Sequence, residues 1–215
     1  MLNIWSVCVG NKYSDDYVIR LKKMVERNIT TEHRFICLSD RAIEGVECFI
    51  TPVDWPGWWQ KLYLFTASNY YGGFNLYFDL DVVIVGDVTR LVSAPLSMPK
   101  NWARSGHGGC QSSVMSWGID CSTITRLFDP TKLSAPANGN YGYYGDKSLW
   151  GDQEFITDVL GEPGEVIEPM YGIYSYKYHC LNGPPDDAKV VCFHGSPKPH
   201  EVNEKWVKDA RGYTL

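Results

Sequence analysis

Two aspartates, Asp79 and Asp81, stand directly after a continuous apolar segment and are the residues best suited to chemistry. The segment Leu76–Phe78 predicts a strand buried on both faces, where an unpaired carboxylate would be costly. Carboxylates at positions i and i+2, where the strand emerges, fall at the carboxyl edge of an α/β sheet, where ligands bind. Two hard oxygen donors suit Mg²⁺ or Mn²⁺, and either ion can hold a diphosphate. The alternative is a turn with two solvated aspartates.

A second group of candidate residues follows the apolar segment Val190–Phe193. His194 could supply a neutral imidazole ligand, which favours Mn²⁺ over Mg²⁺. Gly195 lets the backbone approach a phosphate closely, and Lys198 could pair with that phosphate as a point charge. Taken alone, the segment is more typical of a proline-rich surface turn.

Further candidates stand near two predicted helices. Asp152 could cap a helix, or its carboxylate could accept hydrogen bonds from sugar hydroxyls. Lys61 could reach a phosphate or a sugar, although an exposed helical lysine is usually only solvated. Several aromatic residues could form a rim for a sugar or for a flipped base, namely Trp58, Trp59, Tyr141, Tyr143, Tyr144 and Trp150.

The elements predicted around these residues alternate between strands and helices. Strands are predicted at residues 3–9, 33–38, 46–50, 74–78, 82–85, 111–119 and 190–194. Helices are predicted from residue 14 onward and at residues 58–71, 120–128 and 152–160, with a long loop at 134–151. This alternation favours an α/β sheet with parallel strands at its centre. No repeat or linker divides the chain, so we predict one domain over residues 1–215.

Charge and cysteine content narrow the function classes. The formal net charge is −5, which disfavours a nonspecific nucleic-acid binder. The seven cysteines are widely spaced and form no CxxC pair, so we do not expect a zinc knuckle. Their spacing instead favours free thiols in a reducing, cytoplasmic location. Neither a signal peptide nor an apolar run of about 20 residues is apparent, so we expect no membrane span.

The order of these motifs resembles the GT-A-fold glycosyltransferases, especially the retaining glycosyltransferase family 8 and its glycogenin-like and bacterial galactosyltransferase-like relatives. The resemblance covers roughly residues 3–200. Five segments are similar to motifs of the family and occur in the same order. They are Val9–Tyr13 for the nucleotide-binding loop, Leu76–Asp81 for the DxD strand, Cys110–Met115 for the donor-sugar strand, Gly151–Gln153 for the DQ motif and His194–Pro199 for the terminal His-Gly-Lys-Pro motif. The family often spaces the last motif as HxxGxxKP, whereas here His194 directly precedes Gly195.

This resemblance implies an α/β, Rossmann-like GT-A fold, with a mixed, mostly parallel sheet flanked by helices in a single domain. It implies metal-dependent transfer of a sugar from a nucleoside diphosphate sugar, expected to be UDP-linked, to an acceptor hydroxyl, with retention. Mn²⁺, or Mg²⁺, would be held by Asp79, Asp81 and His194. The donor would be bound by Asn11, Tyr13, Lys61, Gln111, Ser112, Gly195 and Lys198. Asp152 would bind sugar hydroxyls, and Gln153 would lie near the anomeric carbon.

Other interpretations remain open from the sequence. An inverting enzyme would need a carboxylate as general base, for which Asp152 is the candidate. A nucleotidyltransferase also uses paired carboxylates, and a noncatalytic carbohydrate-binding protein could share the scaffold. The acceptor could be a glycan, a small molecule, a protein or a modified nucleic acid.

Overall fold

The computed structural model describes residues 1–102, 109–135, 141–161 and 167–212 as an α/β fold. Its strands are β1 Leu2–Cys8, β2 His33–Ser39, β3 Glu47–Ile50, β4 Phe74–Phe78, β5 Val82–Ile84, β6 Ser97–Met98, β7 Val114–Trp117, β8 Glu168–Pro169, β9 Ile173–Ser175 and β10 Val190–Cys192. Its helices are α1 Asp15–Asn28, α2 Leu64–Ala67, α3 Ser122–Leu127, α4 Asp152–Leu160, α5 Tyr176–His179 and α6 Lys205–Arg211. Short 3-10 helices lie at Gly57–Tyr63, Ser68–Tyr70, Thr89–Leu91, Pro130–Lys132 and Pro199–Glu201.

The strands form a large sheet and a small one. The large sheet has the order β3-β2-β1-β4-β7-β6-β8, in which β3, β2, β1 and β4 run parallel and β7 runs antiparallel to both of its neighbours. The small sheet has the order β5-β10-β9, with β10 parallel to β9 and antiparallel to β5. The predicted mixed, mostly parallel sheet flanked by helices is confirmed.

Strand alternation explains why β1 and β4 carry large apolar side chains on both faces. Successive side chains of a strand point to opposite faces, so Ile4 and Trp5 enter two different cores. The same holds in β4 for Leu76 and Tyr77. One core packs α1, α6 and the small sheet against the large sheet, and the other packs α2, α3 and α4. Both strands are buried on both faces, and this rigid pair carries Asp79 to the sheet edge.

The predicted helix at residues 58–71 is instead a short α-helix between two 3-10 segments. Four consecutive residues, Trp59–Leu62, are buried, which is incompatible with the single apolar stripe of a surface α-helix. Gln60 illustrates the reason, because its amide donates to the carbonyls of Val53 and Trp55 at 3.0 and 2.8 Å. The tighter 3-10 geometry lets these buried side chains contact partners on several sides of the helix.

The other predicted elements differ less from the observed ones. The strand predicted at 111–119 is only Val114–Trp117, because the side chain of Gln111 accepts from the amide of Ser113 at 2.5 Å and forms a turn. Residues 136–140 of the loop predicted at 134–151 lie outside the described residues. The sequence analysis did not predict β6, β8, β9, α5 or α6. Within the described ranges, no helix is long and apolar enough to cross a membrane.

Candidate active site

The carboxyl ends of β1 and β4 and the loop after β10 open into a cavity of about 510 Å³. Every predicted site residue except Asn11 lines it, namely Tyr13, Lys61, Asp79, Asp81, Gln111, Ser112, Asp152, Gln153, His194, Gly195 and Lys198. Asn11 is exposed in the loop after β1, and its neighbour Lys12 lines the cavity. The strand ends thus gather side chains that lie far apart in sequence.

The buried ammonium of Lys61 links two of the carboxylates. Its Nζ lies 3.1 Å from an oxygen of Asp79 and 3.1 Å from an oxygen of Asp152. It also donates to the hydroxyl of Ser112 at 3.1 Å. Burial alone would lower the pKa of Lys61, but the negative charges of Asp152 and Asp79 outweigh burial and raise that pKa. Lys61 is therefore charged at neutral pH, and it fixes both carboxylates.

Asp79 has a second partner in the hydroxyl of Tyr77, which donates to the same carboxylate oxygen. Burial acts to raise the pKa of Asp79, but Lys61 and the hydrogen bonds to the carboxylate outweigh burial and lower it. Burial and the charge of Asp79 raise the pKa of Tyr77, so its hydroxyl stays a donor. The sequence analysis missed Tyr77. The signal was its spacing of two from Asp79, which places both side chains on one face of the strand.

Asp81 is held by the ammonium of Lys198 and by the hydroxyl of Tyr13, which donates to the same oxygen at 2.8 Å. Lys198 lies above the ring of Tyr13, with its Nζ 5.7 Å from the ring centroid. Burial and the charge of Asp81 raise the pKa of Tyr13, so this hydroxyl also stays protonated. The cluster joins the nucleotide-binding loop, the DxD turn and the terminal motif predicted from the sequence.

His194 lines the cavity, but its imidazole is engaged. Its Nε2 lies 2.7 Å from the hydroxyl oxygen of Ser175, and its ring stacks on Trp102 with centroids 5.7 Å apart. Burial and the positive charge of Lys177 lower the pKa of His194. The imidazole is therefore neutral at pH 7, the form that binds metals.

Asp79 and Asp81 fit a hard divalent cation as a pair of oxygen donors, whereas the predicted set of three ligands is not assembled. Across the residues that the structure describes, no three His, Cys, Asp or Glu side chains are grouped as a metal site requires. The Nε2 atom of His194 lies within hydrogen-bond distance of the Ser175 hydroxyl instead. Ligation by His194 stays a prediction.

Two crystal structures of the galactosyltransferase LgtC are similar to this chain: one is a complex with donor and acceptor sugar analogues, and the other is an active-site glutamine-to-glutamate mutant. Their TM-scores are 0.64 and 0.65 at 16% and 14% sequence identity, and each match covers 99% of this chain and 97% of the LgtC chain. The chain has the GT-A fold. At this sequence identity the similarity establishes the fold alone. No protein-family model and no curated protein matches the chain.

One side of the cavity in this GT-A chain is aromatic. The ring of Trp58 contacts Tyr141 edge to face, with ring centroids 4.6 Å apart, and it contacts Trp150 in a tilted arrangement, with centroids 5.1 Å apart. All three residues line the cavity. Gly57 permits this contact, since a Cβ there would lie 2.2 Å from the Tyr141 ring. We call Trp58, Tyr141 and Trp150 the aromatic wall.

The aromatic wall is smaller than the predicted rim. Trp59 is fully buried and stacks on Phe128, and Tyr144 packs in the same core. Tyr143 is exposed but does not line the cavity. Three of the six predicted aromatic residues therefore serve the fold or the surface. Spacing could not separate these roles, because the chain around residue 141 is irregular.

Arg211 is a second residue that the sequence analysis missed. Only 2% of it is exposed, and its guanidinium donates to the carbonyls of Leu80 and Val82 at 3.2 and 2.9 Å. These carbonyls flank Asp81, so α6 supports the DxD turn of the GT-A fold although Arg211 does not line the cavity. Nothing in the local sequence links a C-terminal arginine to a turn about 130 positions earlier.

Proposed function

We propose that this chain is a glycosyltransferase that moves a sugar from a nucleoside diphosphate sugar, UDP-linked by resemblance, to an acceptor hydroxyl. One observation carries the proposal: Asp79, Asp81 and Asp152 converge with Lys61 and Lys198 in one cavity at the carboxyl edge of the parallel strands. The cavity is also partly aromatic, which suits the apolar face of a sugar ring. The similar LgtC structure holds donor and acceptor sugar analogues.

The charge balance of the cavity supports metal dependence. Among the described residues, three lysines and three aspartates line it, and His194 is neutral, so these charges cancel. A nucleoside diphosphate sugar carries about two negative charges, since each bridging phosphate is ionised at pH 7. The lining alone would leave these charges uncompensated. Bound between Asp79 and Asp81, Mn²⁺ or Mg²⁺ would supply the missing charge and offset the charge that grows on the leaving diphosphate.

The chain's own residues would orient the donor. Lys198 lies where its ammonium can contact a phosphate while staying near Asp81, and Gly195 leaves the adjoining backbone open to the same group. Asp152, held by Lys61, presents a fixed carboxylate to sugar hydroxyls. Gln153 begins α4 beside it and lines the cavity. Such fixed charges stabilise a transition state because they need no reorganisation as the leaving group departs.

In the reaction, the bond between the anomeric carbon and the phosphate oxygen breaks, and a bond from the acceptor oxygen to that carbon forms. With retention, the acceptor proton passes to an oxygen of the departing diphosphate. Inversion would instead require Asp152 to take that proton. Its carboxylate is already held by Lys61 at 3.1 Å and is 5% exposed, which suits positioning better than proton transfer. We therefore propose retention, and an NMR spectrum of the product that showed an inverted anomeric configuration would refute it.

The test of the proposed function is a release assay. The chain is incubated with Mn²⁺ and a panel of nucleotide sugars, with and without a panel of acceptor glycosides, and free nucleoside diphosphate is measured. We expect release from one donor, and chelation of the metal should stop it. The absence of both binding and turnover for every nucleotide sugar would refute this proposal, and release of pyrophosphate from a nucleoside triphosphate would favour a nucleotidyltransferase.

Asp81→Ala should lower turnover by at least about 100-fold, because it removes a donor atom and a fixed charge at the diphosphate. The matched control is Asp54→Ala, which removes an exposed carboxylate away from the cavity lining. Circular dichroism would verify that both variants fold. Turnover retained by a folded Asp81→Ala variant would rule out the assigned metal role.

A further inference from the structure

Lys177 places a cation beside the glycine of the terminal motif. It belongs to α5, which follows β9 of the small sheet, and its side chain is half-buried. A Cβ added at Gly195 would lie 3.0 Å from the Lys177 Nζ. Gly195 lines the cavity and Lys177 does not, so this ammonium stands next to a lining residue, and Lys177 belongs to none of the sequence motifs.

The lysines around the cavity fall into two classes. Lys61 and Lys198 each contact a carboxylate. Lys12 and Lys177 form no ion pair or hydrogen bond with any residue in the described part of the chain. Lys12 lines the cavity from the loop after β1, and its Nζ lies 5.5 Å from the centroid of the Tyr13 ring.

Positive charge is concentrated on this side of the cavity. Both Lys12 and Lys198 lie over the Tyr13 ring, at 5.5 and 5.7 Å from its centroid. Burial and the charge of Lys198 lower the pKa of Lys12, although the charges of Asp81 and Asp79 act in the opposite sense. Ammonium groups that gather on one side of a cavity are stabilised when an anion binds among them.

We propose that Lys177 and Lys12 are phosphate-binding residues of this cavity and that the anion they bind is a diphosphate. This inference rests on the proposed function and deepens it. Lys61 and Lys198 already pair with carboxylates, so the ammoniums of Lys12 and Lys177 are the ones left to donate to phosphate oxygens, and a diphosphate can meet both. A nucleotide sugar with a single phosphate would leave one ammonium uncompensated.

The test measures binding, with no acceptor and no turnover. Uridine, UMP and UDP are titrated into the wild-type chain and into Lys177→Gln by calorimetry, at constant Mn²⁺ and constant ionic strength. We expect Lys177→Gln to weaken UDP binding about 10-fold, the loss of one charge-assisted hydrogen bond, and to leave uridine binding unchanged. Lys12→Gln should act in the same way, and Lys177→Arg should restore most of the UDP affinity.

Lys189→Gln is the matched control. It removes the same charge from a half-buried lysine that precedes β10, whereas Gly195, the cavity residue beside Lys177, follows that strand. UDP affinity that falls equally in Lys177→Gln and Lys189→Gln would overturn the inference, since the effect would then come from net charge. An unchanged UDP affinity in Lys177→Gln would overturn it while leaving the proposed function intact. A wild-type chain that binds neither UDP, GDP nor inorganic pyrophosphate would refute the proposed function and this inference together.

Discussion

The charged side and the aromatic wall of the cavity are built in different ways. Asp79 follows β4 and Lys61 lies in a buried 3-10 segment, so packed elements carry these charges. In the aromatic wall, Trp58 lies on the same 3-10 segment, but Tyr141 and Trp150 stand on connecting segments, and Trp150 is 40% exposed. Each carboxylate on the charged side has at least one ammonium partner, whereas the wall is held by ring contacts.

This difference has an energetic cause. Buried charges are tolerated only when each has a partner at a fixed distance, so they need rigid elements on every side. Ring contacts contribute smaller energies and accept several geometries. We therefore expect the charged side to perform the step common to all donors and the aromatic wall to govern which acceptor binds. Variants on the two sides should separate stability from acceptor recognition.

Lys61→Met, which disrupts the charged side, should lower the free energy of unfolding more than any other variant discussed below. The substitution leaves the buried carboxylate of Asp152 and the half-buried carboxylate of Asp79 without their shared cation, and breaking a buried ion pair typically costs about 3–5 kcal/mol of unfolding free energy. Urea unfolding would measure the loss. Asp152→Asn in the Lys61→Met background should recover part of it, because it removes one unpaired charge. A folding free energy within about 0.5 kcal/mol of the wild type would contradict the importance of this ion pair.

The pH dependence of the Lys61→Met loss has a defined sign. Because its folded pKa is lowered, Asp79 contributes stability above its unfolded pKa of about 3.9, and this contribution is lost as pH falls through the folded pKa. In Lys61→Met the carboxylate of Asp79 lacks this cation, and burial favours its neutral form. The difference between the two proteins should therefore narrow below about pH 4. A difference that widened on acidification would contradict this assignment.

The sequence predicted most accurately those elements that a local pattern of residues determines. The buried strand Phe74–Phe78 and the helix Asp152–Leu160 were predicted with their observed bounds, because apolar runs and helix starts are local signals. The alternation of strands and helices also predicted the mostly parallel sheet, although not its strand order. The strand ends then bring Asp79 and Asp81 to the predicted edge.

The partners of these residues could not be predicted in the same way. Lys177 reaches Gly195 only because β9 and β10 pair in the small sheet, and no local spacing encodes that pairing. Arg211 supports the DxD turn from the far end of the chain. The helix expected at residues 58–71 was wrong in type, because tertiary contacts on several sides override a local helical pattern.

Gly57→Ala should disturb the aromatic wall with an intermediate effect. Gly57 has a φ of +55°, and an added Cβ would approach the Tyr141 ring to 2.2 Å, so Tyr141 must move away from Trp58. The left-handed backbone alone costs about 1–2 kcal/mol. Gly45→Ala is the matched control, because Gly45 has a φ of +73° and no neighbour within 4 Å. Urea unfolding should show a larger loss for Gly57→Ala, and equal losses would mean that the wall adjusts freely.

Trp150→Ala should have the smallest effect and should act on the acceptor alone. Its ring is exposed at the cavity edge, so we expect almost no change in unfolding free energy. Loss of stacking on a sugar face, with an energy like that of an aromatic pair, should raise the acceptor KM about 2–10-fold at unchanged donor KM. Tyr143→Ala is the matched control, since Tyr143 is 42% exposed in the same segment and does not line the cavity. If Trp150→Ala instead raised the donor KM, the aromatic wall would belong to the donor, and the division between a rigid common side and a variable acceptor side would fail.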